Sequence, residues 1–122
     1  MIFKTLEIPV FNRHLLFAGD CKPAIAEAAF YDHDGKRSII DVADCDGRCT
    51  LHRGDVFVYV KDLDNCSIMF HEIVHAATFI MEGSGIKLNK HTDEVQAYLV
   101  GWLKLNLLDP VYEERNSTGG TA

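Results

Sequence analysis

Apolar and polar positions divide this chain into segments that read as strands first and helices later. Ile2 to Val10 and His14 to Ala18 read as short strands, with Pro9 and Phe11-Asn12-Arg13 at the break between them. Ile2, Phe3, Leu6, Ile8 and Val10 are expected in a sheet core. Lys22 to Tyr31 reads as a helix, because Pro23 suits a first turn and Ala24, Ile25, Ala28 and Ala29 share one face. Asp32-His33-Asp34-Gly35 is a turn, and Arg37 to Val42 is a further strand candidate. Asp44 to Gly54 is polar and carries two glycines, which predicts a hairpin or loop. Val56-Phe57-Val58-Tyr59-Val60 is the clearest strand, β-branched and aromatic throughout.

Two helices are expected next. The first runs from about Asn65 to Glu82, with Asp64 or Asn65 to cap it and Gly83 to close it. Its residues Ile68, Met69, Phe70, Ile73, Val74, Ala76, Ala77, Phe79, Ile80 and Met81 are apolar on nearly every side, the mark of a buried helix. His71, Glu72 and His75 are therefore expected inside the protein or on a cleft wall. The second helix starts near Thr92 and runs to about Leu108, where Asp109-Pro110 is expected to stop it. Glu94, Ala97, Tyr98, Gly101 and Leu105 are expected on its inner face, with Gly101 allowing close helix approach. The sequence is thus organised as one α+β domain over residues 1–114. A small antiparallel or mixed sheet packs on three helices, and a disordered tail follows over 115–122.

Size and charge narrow the function. At 122 residues and 48% hydrophobic, the chain can bury one modest core. Twelve basic against eighteen acidic residues give a net charge of −6. That balance opposes broad binding to nucleic acid phosphates and to anionic membranes. No apolar run reaches the roughly 18 residues of a membrane span. The first residues lack the pattern of a signal peptide, so the expected location is cytoplasmic, with Cys21, Cys45, Cys49 and Cys66 reduced.

Chemistry concentrates in His71-Glu72-Ile73-Val74-His75. Histidines four apart on a helix lie one turn apart, and both imidazoles can reach one ion. Glu72 is rotated by about 100° from His71, where it can touch a metal-bound water. Three polar groups side by side on an apolar helix are costly to bury without a shared partner. The expected metal is Zn2+. Eighteen residues separate His75 from Glu94, which places Glu94 in the first turn of the next helix and makes it the preferred third ligand. Asp93 and His91 are the rivals; Asp93 is assigned to the polar side and His91 to the connection before the helix.

The string from His71 to His75, with Glu94, resembles the gluzincin branch of zinc metallopeptidases. The wider run through Asp93-Glu94-Val95-Gln96-Ala97-Tyr98-Leu99-Val100-Gly101-Trp102-Leu103 is similar to small uncharacterised phage and prophage proteins. Together they cover roughly residues 64–103. The resemblance implies a zincin-like fold and zinc held by His71, His75 and Glu94. It also implies Glu72 as general base and acid, and a peptide or protein substrate. Three departures stand out. Tyr98 occupies the place where many gluzincins carry an acidic residue. Met81 stands at the third-histidine position of metzincins. Thr92 replaces the glycine that would follow His91 in an SprT-like site.

Weaker signals remain. Oxyanion-donor candidates are Tyr59, Tyr98, Tyr112 and His52. The strand Val56–Val60 is read either as a sheet edge that pairs with an extended peptide or as plain core. Cys45 and Cys49 with His52 form half of a second zinc pattern, and Asp41, Asp44 and Asp46 lack the EF-hand arrangement. Two other functions fit the motif: hydrolysis of a non-peptide amide, and a non-catalytic interaction protein stapled by zinc.

Overall fold

A computed structural model describes residues 1–9, 11–34 and 45–119. The elements are β1 (Ile2–Ile8), β2 (Arg13–Gly19), α1 (Pro23–Asp34), β3 (Gly47–His52), β4 (Asp55–Val60), α2 (Cys66–Gly83), α3 (Asp93–Leu103) and α4 (Asp109–Gly119). The strands form one mixed sheet in the order β1-β2-β4-β3. β1 pairs antiparallel with β2, β2 parallel with β4, and β3 antiparallel with β4. The expected α+β class with a mixed sheet is what the structure shows.

Val56 to Val60 form the inner strand β4, buried throughout, while β3 takes the edge. The run was therefore core and not a free edge. Alternate residues of β2 and β4 feed two different cores, as the period of a strand requires. Leu15, Phe17, Val56, Val58 and Val60 pack with α2 and α3. Leu16, Ala18, Phe57 and Tyr59 pack with Ala26 and Phe30 of α1, where Phe30 meets Phe57 edge to face at 5.3 Å. The sheet is covered by α1 on one side and by the motif helix on the other. Arg53 and Gly54, both with positive φ, close the two-residue β3–β4 hairpin; this is the turn geometry that favours glycine at its second position.

α2 matches its predicted span. The Asn65 side chain accepts a hydrogen bond from the Ile68 amide at its start. At its end the Ser84 and Ile86 amides donate to the Met81 carbonyl, and the Arg13 guanidinium donates to the Gly83 carbonyl. The candidate strand 37–42 and the acidic residues Asp41 and Asp44 lie outside the described residues.

The second helix departs from expectation at both its face and its end. Ala97 and Gly101 are exposed, Tyr98 and Leu105 are each 65% exposed, and a Cβ on Gly101 would meet nothing within 4 Å. The buried series is Leu99, Leu103, Leu107 and Val111. Every fourth residue of an α-helix drifts by about 40°. A wider π-helical turn at Lys104–Leu108 offsets part of that drift and keeps the leucine series on the core. Pro110 does not end the helix. It follows directly on the π-helical turn, and the backbone stays helical at Lys104 and Asp109, so α3 passes into α4 without a break.

Residues 115–119, placed by the sequence in a disordered tail over 115–122, continue α4, and 120–122 lie outside the described residues. Arg115 bonds Asp20 and Asp64, each at 2.7 Å, and Tyr112 donates to the Leu63 carbonyl at 2.6 Å. These contacts tie α4 to the loop that leads into α2. No described helix is long and apolar enough to cross a membrane.

Tyr59 is fully buried, and its hydroxyl donates to the Cys21 carbonyl at 2.7 Å. Tyr59→Phe leaves that carbonyl without its donor. The expected loss is about 1–2 kcal/mol in urea denaturation, with little change in the slope of the transition. Arg115→Ala, acting on half-exposed ion pairs, is expected to cost about 1 kcal/mol or less.

Candidate metal centre

α2 positions the site. Its Met69, Ile73, Ala76, Ala77 and Ile80 are fully buried against the sheet, so the helix is held against rotation. That orientation turns His71 and His75 outward and Glu72 inward. The helix is not buried all round: Phe70 and Val74 are 45% and 44% exposed beside the histidines.

The two imidazoles converge. Their Nε2 atoms are 3.0 Å apart, with ring centroids at 4.6 Å and planes crossed at 74°. Phe79, one turn further on, stacks on His75 with ring centres 6.3 Å apart. At this distance one neutral imidazole can donate its Nε2–H to the other, and with both lone pairs turned inward the same spacing accepts a metal ion. Ligands of one tetrahedral zinc at about 2.0–2.1 Å stand about 3.3 Å apart, close to the spacing here. One Glu72 carboxylate oxygen completes a group whose ligand atoms all lie within 4.8 Å of one another. The donor set suits zinc: two borderline-soft imidazoles and a carboxylate.

Glu72 is only 4% exposed. Burial raises its pKa, partly offset by the nearby His71, His75 and Arg48. The cause of its burial lies on β3, which crosses α2 at this point. Gly47, Cys49 and Leu51 turn toward the helix, and a Cβ on Gly47 would stand 2.4 Å from Ile68 Cγ2 and 3.2 Å from Glu72 Oε2. Cys49 lies under the same wall, and burial together with the Glu72 charge pushes its thiol pKa up. Neither Gly47 nor Arg48 carried a sequence signal for this role, since their proximity to Glu72 depends on the strand crossing.

Glu94 does not join the histidines. It stands exposed on the first turn of α3 and lines a groove with Tyr98 and Trp102. The reason is the way α3 is turned. Gln96 donates to Thr78 of α2 at 2.9 Å, and Leu99 and Leu103 enter the core. At 100° per residue, Glu94 is about 200° from Gln96 and faces away from α2. Asp93, assigned to the polar side, lies one turn before Gln96 on the side that faces α2. His91 is exposed in the preceding turn, its amide bonded to Asn89. Among the described residues, only His71, Glu72 and His75 form a metal-capable group.

The oxyanion candidates thin out. Tyr59 lies on the other side of the sheet and is bonded to Cys21, while Tyr112 is bonded to Leu63. Tyr98 lines the groove with Glu94. All four cysteines are free thiols. Comparison with protein-family profiles, with curated proteins and with solved structures returns no match.

The Gly47 approach makes a direct prediction. Gly47→Ala forces Ile68, a branched side chain on a rigid helix, and β3 apart. The expected destabilisation is about 1–3 kcal/mol by chemical denaturation. Adding Ile68→Ala is expected to recover part of it.

Proposed function

We propose that this chain is a small zinc-dependent metallopeptidase, with His71 and His75 as metal ligands and Glu72 as general base and acid. The observation that carries the reading is the 3.0 Å convergence of the two Nε2 atoms beside a carboxylate that is otherwise buried. The glutamate beside the pair is buried, and a cation held next to it would favour its charged form.

Zinc bound there supplies Lewis acidity and a water acidified toward neutral pH. The protein's own residues do the rest. The packing of α2 fixes both imidazoles, and Phe79 holds the His75 ring in plane. Glu72, poorly hydrated under β3, holds the proton removed from the attacking water at its carboxylate and returns it to the leaving amine. Burial raises its pKa and strengthens it as a base, and His71, His75 and Arg48 offset part of that rise. Among the described residues β3 is the edge strand beside this carboxylate, and a strand edge offers an extended peptide a partner. Of the two acidic residues in the first turn of α3, Asp93 is the one on the Gln96 side of the helix, and a third ligand from α3 would come from it.

His71→Ala is expected to abolish zinc binding by equilibrium dialysis with metal analysis. Glu72→Gln is expected to retain zinc and lose peptide hydrolysis by about 100-fold or more. Retained hydrolysis in Glu72→Gln removes the mechanism. Asp93→Ala is expected to weaken zinc binding by at least about 10-fold, with Glu94→Ala near wild type. The reverse order would show that α3 turns on metal binding.

A further inference from the structure

The groove that Glu94 lines has the features of a binding site in its own right. It lies between the β1–β2 turn and the outer side of α3 and encloses about 430 Å3. Ile8 and Leu99, each 1% exposed, form part of its wall, with Val95 half-buried beside them. Phe11, Tyr98 and Trp102 supply three aromatic rings. Its volume falls in the range of small-ligand and side-chain pockets, roughly 300–1,000 Å3. Glu94 is the one charged residue among the described residues of the lining. Among the described residues no lysine or arginine pairs with it.

Apolar walls, aromatic faces and one unpaired carboxylate select a particular occupant. An apolar side chain fills the pocket, and a cation beside it meets Glu94 and the π-faces of Tyr98 or Trp102. The net charge of −6 adds a long-range preference for a positive partner. A wholly apolar ligand leaves Glu94 idle, and an acidic one is repelled by it. We propose that this groove binds a short segment of a partner protein in which a large apolar or aromatic residue stands next to a lysine or arginine. The site is separate from the histidine pair and does not rest on the peptidase reading.

Trp102 is the only tryptophan in the chain, so its fluorescence reports occupancy of the groove directly. The experiment titrates the full chain with acetyl-Gly-Phe-Lys-Gly-amide. The comparison peptides carry Glu for Lys, or Ala for Phe, and free phenethylamine is the fourth probe. The expected result is a saturable change with Kd below about 1 mM for the Phe-Lys peptide. Binding of the Phe-Glu peptide is expected to be at least about 5-fold weaker. Glu94→Gln, an exposed substitution that leaves packing intact, is expected to bring the two within about 2-fold. His71→Ala is expected to bind as wild type does, so loss of metal and failure of the groove are separately visible. Absence of any saturable change overturns the proposal. So does equal binding of the Phe-Lys and Phe-Glu peptides, an unaltered preference in Glu94→Gln, or phenethylamine binding as tightly as the peptide.

Discussion

The close crossing of β3 over α2 at Gly47 is the contact on which the candidate site depends. A side chain there would collide with Ile68 and press on Glu72. With glycine, the edge strand comes down onto the helix and shields the glutamate from water, while the histidines one residue before and three after it stay open. Three residues of one helix thereby acquire different surroundings. The carboxylate is desolvated and more basic, and the imidazoles remain accessible to an ion. Helix periodicity alone arranges the histidines; only the strand crossing differentiates the glutamate from them.

The second constraint is the buried series from Leu99 to Val111. It runs through α3, the π-helical turn and α4, and it settles which side of α3 meets the core. Once Leu99 and Leu103 are inside and Gln96 reaches Thr78, Glu94 must face the opposite way. The same packing that withdraws Glu94 from the histidines places it on the rim of the aromatic groove. One rotation of a helix thus assigns an acidic side chain to one surface and leaves its neighbour Asp93 toward the other.

What the sequence disclosed follows the strength of its local signals. The β-branched run at Val56–Val60, the capped apolar helix after it and the i, i+4 histidines were legible, because period and capping act within a few residues. The strand order was not, so β4 and β3 could not be distinguished as inner and edge strands. The sequence points to the other face of α3, because Glu94, Ala97, Tyr98 and Gly101 fall on one stripe of the helix. The leucines at 99, 103 and 107 have the greater apolar surface and win the core. Asp109-Pro110 signals a stop in the sequence, yet the π-helical turn just before it carries the helix through. The tail was read from composition, and the ion pairs of Arg115 with Asp20 and Asp64, far away in sequence, were invisible there.

Zinc-edge X-ray absorption on the zinc-loaded protein reads the metal's ligands themselves. The expected spectrum has nitrogen and oxygen scatterers at about 2.0–2.1 Å, two of them imidazole nitrogens with the distant features of histidine rings, and no sulfur. A first shell with sulfur at about 2.3 Å, or one without imidazole features, contradicts it: the metal would then lie at the cysteines or nowhere specific, and the histidine pair would be a structural contact alone.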